Sequence, residues 1–188
     1  MTDTKRFFGD DAAVRHVGEG LLARTLPKSE WTHEAHLAAC LWLLTERPDV
    51  APERDLSAII RAYNVATGGV NDETQGYHET LTLLYIRGVR AFMASAPPGD
   101  LTARVNALLV SEMGPRDWPL RFFSREVLFS VAARLGEAGS QTHRPLTLCQ
   151  GKCAGGVRIS DACGACLSSS SAIARNENVH TIHRKGGK

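Results

Sequence analysis

Three histidines hold most of the chemical potential of this sequence. His33 and His36 stand three residues apart in W-T-H-E-A-H-L, and His78 lies in G-Y-H-E-T. On a helix, residues at i and i+3 have Cβ atoms about 5–6 Å apart, so two imidazoles at that spacing can share one ion. A His-rich donor set with a carboxylate and an open water position is the pattern of catalytic zinc and non-haem iron. Glu79, beside His78, is the candidate carboxylate, as a fourth ligand or a general base, and Arg125 is the candidate for holding an anionic group of a substrate. These residue types point to a divalent metal ion, zinc or iron, bound by His33, His36 and His78, and to a metal-dependent, hydrolase-like enzyme. Two other readings use the same residues. Histidines at a helix start also serve as hydrogen-bonded structural groups, with Glu34 and Glu79 complementing the helix dipole. Alternatively the histidines line a non-enzymatic pocket for a small-molecule ligand or partner, where they act as hydrogen-bond donors and pH-sensitive elements.

Helices must position these groups. Apolar residues recur at three- and four-residue steps as far as Leu135, and strand-like alternation is nearly absent. A first helix is expected from Asp10 or Asp11 to residue 26, weakened by Gly18 and Gly20 and stopped by Pro27. The second takes Thr32 as its N-cap and ends before Pro48, with Leu37, Cys40, Leu41 and Leu44 on one face. Pro52 suits the first position of a third helix, which turns Leu56, Ile59, Ile60 and Tyr63 inward and ends near Gly68-Gly69. A fourth follows Gly76, carries the stripe Leu81, Leu84, Tyr85, Val89 and Phe92, uses Gly88 for a close helix contact, and stops at Pro97-Pro98-Gly99. Asp100 caps a fifth helix reaching about Met113, and Ser124 caps a sixth from Arg125 to about Leu135. Trp31, Trp42, Trp118, Tyr77 and Tyr85 fit packing positions better than a stacking platform. Short links between such elements imply an all-α fold, an up-and-down helical bundle of about six helices.

In that bundle the second and fourth helices run parallel, so their first turns, with His33, His36 and His78, fall at one end. The loop 114–123 and the start of the sixth helix at Ser124 and Arg125 should reach the same end. The positive partial charge of a helix N-terminus favours neutral imidazole, the form that binds metal. Glu79 lies one step, about 100° of helix, away from the inward stripe, so its case for facing the site is weaker than that of His78.

The blocks W-T-H-E-A-H-L-A-A-C-L-W-L-L, G-Y-H-E-T-L-T and P-L-R-F-F-S-R-E-V-L-F-S-V-A-A-R follow one another in this order. Together they resemble a widespread group of small uncharacterised bacterial proteins, whose pattern is H-x-x-H-[LV], then a tyrosine-histidine-glutamate-threonine block, then a tyrosine-serine-arginine block. The resemblance covers residues 31–148 and matches His33, His36, Tyr77, His78, Glu79, Thr80, Thr82, Ser124 and Arg125. Phe123 stands where the group has tyrosine, so no hydroxyl role transfers to that position. The resemblance implies no activity. Members of the group end soon after a segment like His143-Arg144-Pro145-Leu146, which makes the remainder of this chain an addition.

Composition draws the same boundary. With 188 residues, 43% hydrophobic and 22% charged, the chain can bury a core and is neither disordered throughout nor collagen-like. Beyond Leu148, however, there is no aromatic residue, and four of the five cysteines and a serine run at 168–171 appear. Two units are therefore expected: a helical bundle domain over 1–148, and a basic Cys/Ser/Gly-rich tail over 149–188 that buries too little apolar surface to offset ordering and is disordered. Cys149, Cys153, Cys163 and Cys166 also admit a four-thiolate zinc reading, against which stand the short intervening loop and the lack of aromatic packing. A net charge of +2 argues against a nucleic-acid partner, and the apolar run at residues 41–44 stops at Thr45-Glu46, far short of the roughly 20 residues of a membrane span. No apolar segment follows Lys5 and Arg6, so a cytoplasmic location is expected. A chain ending at Leu148 should melt within a few degrees of the full chain, a loss below about 1 kcal/mol, and a larger drop in thermal denaturation would mean that the added segment packs.

Overall fold

The computed structural model describes residues 6–136, and the expected tail with its cysteines lies outside them. Among the described residues the structure is all-helical: α1 (Asp11–Ala23), α2 (His33–Glu46), α3 (Pro52–Ala66), α4 (Glu79–Ser95), α5 (Leu101–Val110), a 3-10 turn (Trp118–Arg121), α6 (Arg125–Leu128) and α7 (Val131–Leu135). None of these helices is long and apolar enough to cross a membrane. Side-chain oxygens set several starts. Asp10 accepts from the Ala13 N–H, Thr32 from Ala35, Asp100 from Ala103 and Ser124 from Val127, each satisfying a donor that the first helical turn leaves unpaired. Helix α1 stops short of Pro27 because Arg24 adopts the left-handed conformation (φ 62°) and its N–H turns back to the carbonyls of Gly20 and Leu21.

Helix α2 is the axis of the fold and packs chiefly against α1, α4 and α5, with α3 also touching it. The sequence suggested one buried face; the structure buries seven consecutive residues, from Leu37 to Leu43, and so covers the helix all round. The single expected sixth helix is two short ones. Ser130 sits in extended conformation and caps α7 by accepting from the Ala133 N–H, which breaks the run after Phe129. Gly88 is approached by the side chains of Met113 and Trp118 rather than by another helix backbone.

Polar ties hold the outer helices in place. The Asp11 carboxylate accepts from both the N–H (2.8 Å) and the hydroxyl (2.6 Å) of Thr102, joining α1 to α5 and keeping its own pKa below the ordinary value. Arg15 grips Glu46 with two bonds of 2.8 Å, and the Trp42 indole N–H donates to the same carboxylate at 3.0 Å. The Trp42 ring fills the space beside Gly18, where an added Cβ would come within 2.1 Å of a ring carbon. Gly18→Ala should therefore destabilise the fold: overpacking costs roughly 1–3 kcal/mol, more than the roughly 0.5–1 kcal/mol that alanine gains within a helix. Urea unfolding checks this, and the smaller ring of Trp42→Phe should recover part of the loss.

Candidate functional site

The first turn of α2, the residue before α4, the loop after α5 and helix α6 meet around one cavity of about 630 Å³. It is larger than a structural void and falls in the range of organic-ligand pockets, about 300–1,000 Å³. Its floor is apolar and buried, with Leu37, Cys40, Leu43 and Leu128 among the contributors. Its rim is polar and exposed, with His36, Arg116, Asp117 and Arg125. His33, His36 and His78 all line this cavity, although they come from segments more than forty positions apart in sequence.

Each histidine is held by backbone. The His33 Nε2–H donates to the Gly114 carbonyl at 2.8 Å, and the loop can approach so closely because a Cβ at Gly114 would lie 1.9 Å from the Leu109 carbonyl oxygen. The His36 Nδ1–H donates to the Thr32 carbonyl one turn earlier, and its ring stacks on Trp31 with centroids 3.9 Å apart. His78 was expected on the inward stripe of the fourth helix; it is instead the N-cap of α4. Its Nδ1 accepts from the Leu81 N–H (3.3 Å) while its Nε2–H donates to the Leu128 carbonyl (2.9 Å). The pair of bonds together needs the neutral ring, because only an unprotonated Nδ1 can accept.

This arrangement fits a metal ion poorly. A histidine binds metal through an unprotonated ring nitrogen, and the only such nitrogen of neutral His78 is occupied by Leu81. Among the described residues no three His, Cys, Asp or Glu side chains stand where they could hold a metal ion. Burial pushes the thiol of Cys40, on the cavity floor, up to about 12, so it is protonated at neutral pH.

Of the other expected site residues, Arg125 lines the cavity, its guanidinium 5.7 Å above the Phe129 ring. Glu79 does not line it. It is the first residue of α4 and packs at Gly136, where an added Cβ would come within 2.7 Å of the Glu79 Cγ. Its neighbours explain the Y-H-E-T block as a docking strip: the Thr80 hydroxyl donates to the Ala133 carbonyl (2.6 Å), and Arg134 donates to the Tyr77 carbonyl (3.1 Å). With the His78–Leu128 bond, these contacts fasten the start of α4 to α6 and α7. The loop 114–123 reaches the cavity as expected, but Arg116 and Asp117 within it carried no individual signal beyond their place between Gly114-Pro115 and Pro119. Trp31, expected only to pack, forms a cavity wall.

Electrostatics favour neutral groups on the inner walls. Burial pushes the Tyr77 and Tyr85 hydroxyls up to about 12, so both stay protonated and can donate. Glu34, buried beneath the rim, is lowered all the same: burial would raise it, but hydrogen bonds from its own N–H and from Thr32, with the charges of His33 and Arg116, outweigh that. Burial lowers the pKa of His36 to about 4, against the bond to the Thr32 carbonyl, and burial also lowers that of His78, assisted by the charge of Arg134. Comparison of the chain with protein-family models, curated proteins and solved structures returned no match.

The two lowered histidines set a pH dependence. When the folded-state pKa lies below the unfolded value of about 6.5, the unfolded chain binds protons more readily. Stability is then complete above about pH 6.5 and is lost as pH falls toward the folded-state values. Urea unfolding should show stability declining from about pH 7 to 5.5, above the range in which the carboxylates titrate. His78→Asn, which keeps an acceptor at the cap but does not titrate, should flatten that slope.

Proposed function

We propose that this protein is a non-enzymatic, small-molecule-binding helical protein whose ligand occupies the cavity at the starts of α2 and α4. The observation that supports this most is the cavity itself, about 630 Å³ with an apolar floor and a few convergent polar groups taken from four separate segments. In this reading the histidines are not ligands of a metal. His33 and His78 pin the loop and α6 to the two helix starts, and His36 presents a neutral, stacked ring to the ligand. Glu79, packed at Gly136, has no part in binding.

Protein purified without a histidine tag should contain less than about 0.1 equivalent of zinc or iron, and chelation should leave its melting temperature unchanged. Among drug-sized organic compounds some should raise that temperature, since a ligand at a hundred times its Kd adds about 2.7 kcal/mol to stability. Stoichiometric zinc or iron that is lost in His78→Ala would overturn this reading in favour of a metal-dependent enzyme.

A further inference from the structure

We infer that the ligand of this cavity is a flat organic anion: an aromatic or conjugated body with one carboxylate-like or sulfonate-like head. The inference rests on the cavity being a binding site and adds the chemical class of what binds.

Three independent features of the walls lead to it. The first is aromatic surface. Trp31 and His36 stack at 3.9 Å with 30° between their planes, a stacked aromatic pair at the cavity wall. Tyr85 lines the cavity as well, edge-on to His33 at 5.9 Å, and Phe129 stands at the rim with 55% of its surface exposed. Planar rings beside a cavity favour a planar guest, because offset stacking adds about 0.5–1.5 kcal/mol to simple burial.

The second feature is charge. The charged residues on the lining are Arg116, Asp117 and Arg125; Arg116 also faces the charge of the buried Glu34, so the case for an anion centres on Arg125. Arg125 is exposed, and its described contact is the face of Phe129; among the described residues it forms no ion pair. An arginine fork held above an aromatic ring at a cavity mouth suits an anion whose body continues over that ring.

The third feature is the balance of hydrogen-bonding groups. The Tyr77 hydroxyl is engaged with Thr82, Glu79 and Ser57, so the donors on the lining are the Tyr85 hydroxyl, which is protonated, and the guanidiniums, which have no acceptor capacity. Against them the lining offers the Asp117 carboxylate and the neutral side of His36. Donors outnumber acceptors, as a ligand rich in acceptors requires, and a deprotonated acid head is the densest acceptor available to a small organic molecule.

Two fluorescent dyes that differ by one group test this. 8-Anilinonaphthalene-1-sulfonate is a flat aromatic anion, and N-phenyl-1-naphthylamine is the same skeleton without the sulfonate. The full chain should bind the sulfonate at one equivalent and at least tenfold more tightly than the neutral dye. Arg125→Gln should abolish that margin, whereas Arg87→Gln, an exposed arginine of α4 outside the cavity, should preserve it. Equal affinity for the two dyes, or an undiminished margin in Arg125→Gln, would overturn the inference while leaving a binding cavity. Failure of both dyes to bind saturably would remove the cavity reading beneath it. An unchanged melting temperature in Arg125→Gln keeps a loss of affinity from being a loss of fold.

Discussion

The imidazole of His78 accepts from the Leu81 N–H and donates to the Leu128 carbonyl, and the first of these bonds is lost when the ring is protonated. The first caps α4, and the second reaches fifty residues along the chain to the end of α6. Between them they set where α4 begins and where α6 lies, and the space left between those elements and the first turn of α2 is the cavity. Thr80 and Arg134 reinforce the same junction through the Ala133 and Tyr77 carbonyls. A side chain used in this way is a structural joint with one face on a binding site, and its chemistry follows from its bonds rather than from its residue type.

Tight packing in one half of α2 and an open space at its start are two sides of the same construction. From Leu37 to Leu43 the helix is buried, with the Trp42 ring lodged against Gly18 on one side and Leu37, Cys40 and Leu43 forming the cavity floor on another. At the first turn that enclosure ends, and the chain supplies instead a loop tied back by the His33–Gly114 bond. The rigid half thereby fixes the geometry of the open half, which is how a small helical fold can keep a cavity of ligand size without collapsing it.

Much of this architecture is legible in the residues. Thr32, Asp100 and Ser124 announce helix starts because their oxygens match the unpaired donors of a first turn, and Pro52 does so through its fixed φ. The meeting of His33, His36 and His78 at one cavity follows from helix order. What the residues do not reveal is which ring nitrogens the backbone claims. The acceptor for His33 lies 81 positions away and that for His78 fifty, distances over which spacing patterns are silent. H-x-x-H reads as a donor pair in sequence, whereas in the fold one nitrogen of each of these rings bonds a carbonyl and both nitrogens of His78 bond the backbone. The all-round burial of α2 was hidden for a similar reason: Ala38, Ala39 and Leu43 fill its other faces, but only their neighbours show that those faces are covered. The break at Ser130 turns on one hydroxyl choosing to cap a new helix, a local choice that periodicity cannot register.

The central claim, that His78 is a neutral structural joint and not a metal ligand, is open to direct measurement by nitrogen-15 NMR of its ring. The account predicts the Nε2–H tautomer at neutral pH, with Nδ1 unprotonated and hydrogen-bonded, and no change in either nitrogen on adding one equivalent of zinc or ferrous iron. An Nδ1–H tautomer, or a ring nitrogen that shifts stoichiometrically with added metal, would contradict it.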